Sequence, residues 1–170
     1  GGYVQWAAAA DAPPELKAIV PHITTTRVFD LAFPDGVFGM DLSLRWMRLL
    51  HVMVHDEERS RHEARRSMVP QEIDRALQPS FAHLPVSDLD EHAVGHPVDY
   101  FQRWIRETNP EAPEWKAMDL RHLPGQVTIP VYFIGGWYDF MLRGMLADYA
   151  AMRAAGRRPY LTLGPWDHTS

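Results

Sequence analysis

The stretch that decides the fold is Ile129–Ser170, IPVYFIGGWYDFMLRGMLADYAAMRAAGRRPYLTLGPWDHTS. It opens with a short apolar run, Val131–Ile134, which is typical of a strand buried on both faces of a parallel sheet. Apolar residues then recur at helical spacing, at Met141, Leu142, Met145, Leu146, Tyr149 and Met152. Gly156 is a natural helix stop, and Pro159–Leu163 follows as a second strand. The order strand, helix, strand predicts two neighbouring parallel strands.

An acidic residue and a histidine follow the two predicted strands. Asp139 comes just past the first strand, and His168 lies on the turn after the second. Open parallel sheets keep their chemistry at the carboxyl ends of the strands, and adjacent strands lie about 5 Å apart. We therefore expect the two side chains to meet, as the acid and histidine of a Ser…Asp…His triad do. From position alone, Asp139 is equally suited to cap the following helix, and Asp167 is a weaker candidate for the acid.

Composition restricts the classes of function. The 170 residues carry a net charge of −5, with 46% apolar residues, 23% charged residues and no cysteine. This excludes disulfides, thiolate zinc sites and a cysteine nucleophile, and argues against a nucleic-acid surface. No apolar run approaches the ~20 residues of a membrane helix, and no signal peptide is visible. We expect a cytoplasmic protein with no cofactor, no metal and no nucleic-acid or membrane partner; a homodimer stays open.

The rest of the chain predicts an α/β pattern interrupted by helices. Gly1–Ala10 has the pattern of a helix, Leu16–Ile23 that of a short strand, and Thr24–Gly39 that of a loop. Further helices are predicted over Met40–Val54, Asp56–Met68, Gln71–Leu77 and Pro97–Thr108, with a loop over Ser80–Leu89. A mostly helical block, roughly Gly36–Glu114, therefore separates two pieces of α/β pattern.

Side chains of the helical block carry two further expectations. The face that we expect to be buried in Met40–Val54 consists of Leu42, Trp46, Leu49, Leu50 and Met53. Trp46, Tyr100, Phe101 and Trp104 are expected to form the core of this block. His51 and His55 have metal-ligand spacing, but HVMVH lacks the glutamate of H-E-x-x-H. We interpret them as a structural or surface pair.

Four segments together resemble a known family: GGYVQW from Gly1, GHPVDYFQRW from Gly95, IPVYFIGGWYDFMLRGMLADY from Ile129 and GPWDH from Gly164. They are similar to the CocE/NonD hydrolases, the cocaine-esterase-like relatives of the Xaa-Pro dipeptidyl-peptidases and α-amino acid ester hydrolases. The resemblance implies a partial α/β-hydrolase fold. Residues 1–35 and 115–170 would form its core, and residues 36–114 an inserted helical cap. It also implies Asp139 as the triad acid and His168 as the general base.

The same resemblance puts the nucleophile outside the 170 residues. The family's nucleophile elbow is Gly-x-Ser-Tyr-x-Gly, so Gly1 and Gly2 would be its last two positions and the serine would lie two residues before Gly1. The family's C-terminal jelly-roll domain would begin after Ser170. We therefore expect a segment of a longer protein that carries the acid and base but is inactive by itself.

The implied activity is hydrolysis of a small-molecule ester or amide with a small acyl group, through an acyl-enzyme. A serine hydroxyl needs a histidine to take its proton and a carboxylate to orient the imidazole. Four aromatic residues, Trp137, Tyr138, Phe140 and Trp166, flank the two catalytic positions. We predict that Trp137, Tyr138 and Trp166 line the substrate pocket, with core packing as the alternative. An Xaa-Pro dipeptidyl-peptidase and a non-catalytic binding module that keeps the fold stay open as alternatives.

Overall fold

A computed structural model describes residues 1–11, 13–55 and 70–168. The described helices are, in chain order, α1 (Gly2–Ala10), α2 (Val28–Ala32), α3 (Met40–His55), α4 (Pro70–Phe81), α5 (Leu89–Val94), α6 (Asp99–Arg106), α7 (Pro113–Met118), α8 (Leu123–Gln126) and α9 (Leu142–Ala154). Short 3₁₀ turns cover Pro34–Gly36 and Val86–Asp88, and the strands are β1 (Tyr132–Gly136) and β2 (Tyr160–Gly164). The predicted helix Asp56–Met68 lies outside the described residues.

The chain divides into two compact units. Gly1–Leu31 and Glu111–Ser170 form the first, and Ala32–Pro110 forms the second. The prediction that residues 36–114 form a cap inserted into an α/β-hydrolase core stays a prediction.

The first unit contains a parallel sheet, as predicted. β1 and β2 pair in parallel from Tyr132 opposite Tyr160 to Gly136 opposite Gly164. α9 connects them, and it ends before Gly156, whose φ of +75° explains why a glycine stops the helix there. The predicted strand, helix and second strand are therefore confirmed, with boundaries shifted by one or two residues.

The predicted strand Leu16–Ile23 is reduced to single bridges. Ile19 pairs with Val131 and His22 with Ile134, both in parallel orientation. Pro21 has no N–H to donate, which interrupts a continuous ladder between these two bridges. The Val20 backbone bonds instead to the Gln5 side chain, through Val20 N to Oε1 at 2.8 Å and Nε2 to Val20 O at 3.0 Å. The segment thus extends the sheet without forming a regular strand.

One face of the sheet holds the hydrophobic core of the first unit. Val131 and Phe133 are buried, and Phe133 packs on Trp6 of α1 at 5.8 Å and on Tyr149 of α9 at 5.8 Å. Tyr132, on the opposite face, is exposed among the described residues. The expectation that this strand is buried on both faces is therefore wrong for the described part of the chain.

The second unit is helical in its described part. Its core consists of Leu44, Met47, Leu77, Leu89 and Phe101. The face predicted for α3 is wrong, because Leu44, Met47 and Val52 are buried while Trp46 is 48% exposed and Met53 is 61% exposed. The sequence of α3 has apolar residues on more than one face of the helix, so helical spacing alone does not select the buried face. Of the residues expected in this core, Phe101 is buried, and Tyr100 is partly buried and packs against the core cluster.

Two predicted loops contain helices. Within Thr24–Gly39 the structure has α2, and within Ser80–Leu89 it has the end of α4 and the Val86–Asp88 turn. α4 also continues beyond the predicted Gln71–Leu77 and includes Pro79. A proline has no backbone N–H, so Pro79 cannot bond to the carbonyl four residues earlier, and α4 ends two residues later, at Phe81.

Candidate active site

The carboxyl edge of the sheet continues into two interlocked turns. Trp137 N donates to Gly164 O at 2.9 Å, and Tyr138 N donates to Trp166 O at 3.0 Å. Gly136 permits this approach, since a Cβ added there would lie 2.0 Å from Trp166 O. The turn after β1 is thereby held against the turn after β2.

Asp139 and His168 meet between these turns. His168 Nδ1 lies 2.9 Å from Asp139 Oδ2. The Asp139 side chain is 2% exposed and the imidazole 38% exposed. A carboxylate that accepts from Nδ1–H fixes the imidazole tautomer and leaves Nε2 as a proton acceptor. The structure brings the two predicted residues together in the geometry that a base and its orienting acid require, and their catalytic roles stay a prediction.

The second oxygen of Asp139 serves the local backbone. Oδ1 accepts a hydrogen bond from Met141 N at 2.6 Å, and Leu142 N donates to Asp139 O at 3.1 Å. This is an Asx turn that leads into α9. Asp139 is not the N-cap of α9, which is Met141. One oxygen of its carboxylate closes the turn before the helix, and the other faces the histidine.

The aromatic residues around the pair differ in their surroundings. Trp137 is 61% exposed and Tyr138 is 77% exposed, so neither is a core residue of the first unit. Trp166 lies over Gly164, where an added Cβ would come within 2.6 Å of the indole ring. The role of these three as pocket walls stays a prediction. Phe140 packs its ring on His168 at a centroid distance of 4.5 Å, a contact that the sequence pattern did not predict.

Gly2 lies at the same edge of the sheet. A Cβ on Gly2 would come within 2.3 Å of Thr24 Cγ2 and 3.1 Å of His22 O, at the end of the bridge between His22 and Ile134. Gly1 is exposed, and nothing lies within 4 Å of a Cβ added there. α1 thus begins in close contact with the sheet edge, as a helix that follows a nucleophile elbow does. The assignment of Gly1 and Gly2 to an elbow stays a prediction.

The sequence pattern did not lead us to predict a buried polar cluster around Asp148 of α9. Asp148 of α9 is fully buried and accepts hydrogen bonds from Thr26 N at 2.8 Å, Thr26 Oγ1 at 2.6 Å and Thr25 Oγ1 at 3.2 Å. Burial raises the pKa of Asp148, and the bonds from Thr26 oppose that rise. The sequence contains a signal for this cluster, because Asp148 lies at helical spacing from Met145 and Met152 and therefore on the apolar face of the helix. The cluster fixes the chain after the bridged segment onto α9.

A cleft of about 460 Å³ opens at the other edge of the sheet. Its lining includes Ala9 and Ala10 at the end of α1, and Thr128 and Ile129 just before β1. Neither residue of the Asp139–His168 pair lines it. This cleft therefore does not mark the candidate site, which is identified by its hydrogen bonds.

Two further features concern residues 1–11, 13–55 and 70–168, which the structure describes. No three His, Cys, Asp or Glu side chains gather there in a way that would hold a metal ion. The His51 ring packs against that of His96 at a centroid distance of 5.5 Å. None of the described helices combines the length and the apolar character that a bilayer crossing needs.

Comparison with known proteins identifies the family. The model for the X-Pro dipeptidyl-peptidase (S15 family) matches residues 1–170. The cocaine esterase of Rhodococcus sp. (strain MB1 Bresler) is 23% identical over 177 residues, which cover 99% of this chain and 30% of the esterase. The chain therefore spans under a third of the length of that curated relative. Because the family model covers all 170 residues, the chain belongs to the S15 family of X-Pro dipeptidyl-peptidases and is a member of the CocE/NonD type that its motifs indicated.

Proposed function

We propose that this chain supplies the acid and the base of a serine hydrolase that cleaves esters or amides of small acyl groups through an acyl-enzyme. The observation that carries the proposal is the 2.9 Å contact between His168 Nδ1 and the buried Asp139. It lies at the carboxyl edge of a parallel sheet, where α/β-hydrolases hold their acid and histidine. Similarity to a peptidase family and to an esterase, both hydrolases, supports the same reaction class.

In the proposed mechanism, His168 Nε2 takes the proton of a serine hydroxyl as that oxygen attacks the substrate carbonyl carbon. The protonated imidazole then gives the proton to the leaving alcohol or amine, and an acyl-enzyme remains. Water attacks the acyl-enzyme by the same route, with His168 again as base. Asp139 keeps Nδ1 protonated and stabilises the imidazolium. We place the serine two residues before Gly1, which makes Gly1 and Gly2 the end of its elbow.

We assign residues 1–35 and 115–170 to an α/β-hydrolase core and residues 36–114 to its cap. The parallel bridges at Ile19 and His22, together with β1 and β2, support the core assignment. The helices described between Ala32 and Pro110 support the cap. We further propose that Trp137, Tyr138 and Trp166 line the acyl pocket.

An Xaa-Pro dipeptidyl-peptidase is the second candidate, favoured by the description of the matching family. It would use the same acid and base on a peptide bond. It would also need groups that bind the free N-terminal amine of the substrate, which an esterase does not. Comparing p-nitrophenyl esters with Xaa-Pro p-nitroanilides separates the two, since a free amine raises turnover only for the peptidase.

The decisive test uses the protein that contains this chain together with the residues preceding Gly1. We expect labelling by a serine-directed fluorophosphonate, and a fall in turnover of several orders of magnitude for His168→Ala. His122→Ala is the matched control, because His122 is exposed and makes no side-chain capping bond at the start of α8. Near-normal turnover of His168→Ala would refute the proposal. Binding of ester without labelling or turnover would favour a non-catalytic module.

A further inference from the structure

We propose that Phe140 is a positioning residue that holds the imidazole plane of His168 in line with Asp139. The two rings pack against each other in a tilted arrangement, with a centroid distance of 4.5 Å and their planes 33° apart. The catalytic consequence of this inference rests on the proposed function, whereas the contact itself does not. In this proposal, Phe140 acts by packing against the imidazole ring, and Asp139 holds Nδ1.

The imidazole needs such a support. It is 38% exposed and follows the end of β2 on a turn, and its Nδ1 bond to Asp139 fixes one ring atom. A single hydrogen bond does not fix the plane of a ring, because the imidazole can still tilt about that bond. A flat aromatic surface against one face removes this freedom. Nε2 then keeps one direction, which is what proton transfer from a serine requires.

Phe140 is itself well placed for the role. It lies between Asp139 and Met141 in a turn closed by Asp139 N to Gly136 O at 3.2 Å and Met141 N to Asp139 Oδ1 at 2.6 Å. The acid and the supporting ring therefore come from one fixed turn, and the histidine comes from another. Phe140 is 46% exposed and does not belong to the described core around Trp6 and Phe133. Its contact with the imidazole is thus not a by-product of core packing.

The first test reads the imidazole directly by NMR in the protein that includes the residues before Gly1. A hydrogen-bonded Nδ1–H gives a far-downfield proton resonance, and its exchange with water reports how firmly the ring is held. We expect Phe140→Leu to speed this exchange about threefold to tenfold, the factor that loss of an aromatic pair corresponds to. Phe140→Tyr keeps the ring and should behave as wild type, while Asp139→Asn should abolish the resonance. An unchanged resonance and exchange rate in Phe140→Leu would overturn the inference, as would a wild-type chain without the resonance.

The second test measures catalysis in the protein that includes the residues before Gly1. We expect Phe140→Leu to lower kcat by about threefold to tenfold at unchanged KM, and Phe140→Tyr to restore it. A rise in KM at unchanged kcat would mean that Phe140 binds substrate, and would overturn the positioning role. The two proposals fail separately. An active His168→Ala variant refutes the triad, whereas the NMR result decides the contact between Phe140 and His168 in either case.

Discussion

Asp139→Asn tests the site most directly, because it changes one function of the carboxylate and keeps the other. Asp139 Oδ1 accepts from Met141 N, while Oδ2 faces His168 Nδ1. Asparagine can keep its oxygen on Met141 N, which leaves its NH₂ group facing the imidazole. Two donors would then meet, so the histidine is driven to the tautomer with its proton on Nε2. That tautomer cannot accept a proton from serine.

The expected losses differ for activity and for stability. The corresponding acid-to-amide change in a known triad lowers kcat by about 10⁴, which is about 5 kcal/mol of transition-state stabilisation. Asparagine is as good as aspartate in local turns, so the free energy of unfolding should change by less than about 1 kcal/mol. Asp139→Ala is the comparison, since it removes both functions and should cost about 1 kcal/mol in addition to activity. Ester hydrolysis measures the first quantity and urea denaturation the second.

One result would refute this reasoning. If Asp139→Asn retained kcat within about tenfold of wild type, the carboxylate would not be orienting a catalytic imidazole. In Asp139→Ala, lost activity could come from the lost turn or from the lost histidine contact. Asp139→Asn is expected to keep the Asx turn before α9, so a loss of activity at unchanged stability assigns the effect to the histidine contact.

Two further predictions concern the surroundings of the site. Gly136→Ala should lower the free energy of unfolding by about 1–3 kcal/mol and disrupt the acid–histidine contact, because its Cβ would lie 2.0 Å from Trp166 O. Gly125→Ala is the control and should be nearly neutral, since nothing lies within 4 Å of its Cβ. Equal losses of stability in the two variants, measured by urea titration, would contradict this prediction. Burial raises the pKa of Asp148 above 3.8, so its contribution to stability is present below that pH and is lost as pH rises through the higher folded-state pKa. Wild type should therefore lose stability relative to Asp148→Asn as the pH rises above 3.8, and a pH-independent difference would be the contrary outcome.

The elements around the site were predictable because their signals are local. Short apolar runs bounded by Pro130 and Pro159 gave two strands, and the helix between them ends where Gly156 takes a positive φ. In a parallel pair of strands the carboxyl ends lie at one edge. The meeting of Asp139 and His168 follows from that register, so their contact could be expected without any knowledge of the tertiary structure.

Other features depend on contacts that local sequence does not contain. Leu44 and Trp46 are both large apolar residues of α3, and the sequence does not show which of them is buried. Leu44 lies in the core because the neighbouring helices pack on its side of α3. The Val20 backbone is satisfied by the side chain of Gln5, which the strand pattern could not indicate. The contact between Phe140 and His168 also depends on tertiary structure, since two turns remote in sequence bring the rings together.

The segments GGWYD, from Gly135, and GPWDH, from Gly164, fit together through their backbone. Gly136 and Gly164 are the last pair in register between β1 and β2, and the turns beyond them bond to each other through Trp137 N and Tyr138 N. Each motif alone specifies only a turn after a strand, which many proteins contain. Together they specify two turns that fit because a glycine at position 136 leaves room for the carbonyl of Trp166. The separation of acid and base is thus set by strand register and turn length, and the side chains need only standard reach to complete the hydrogen bond.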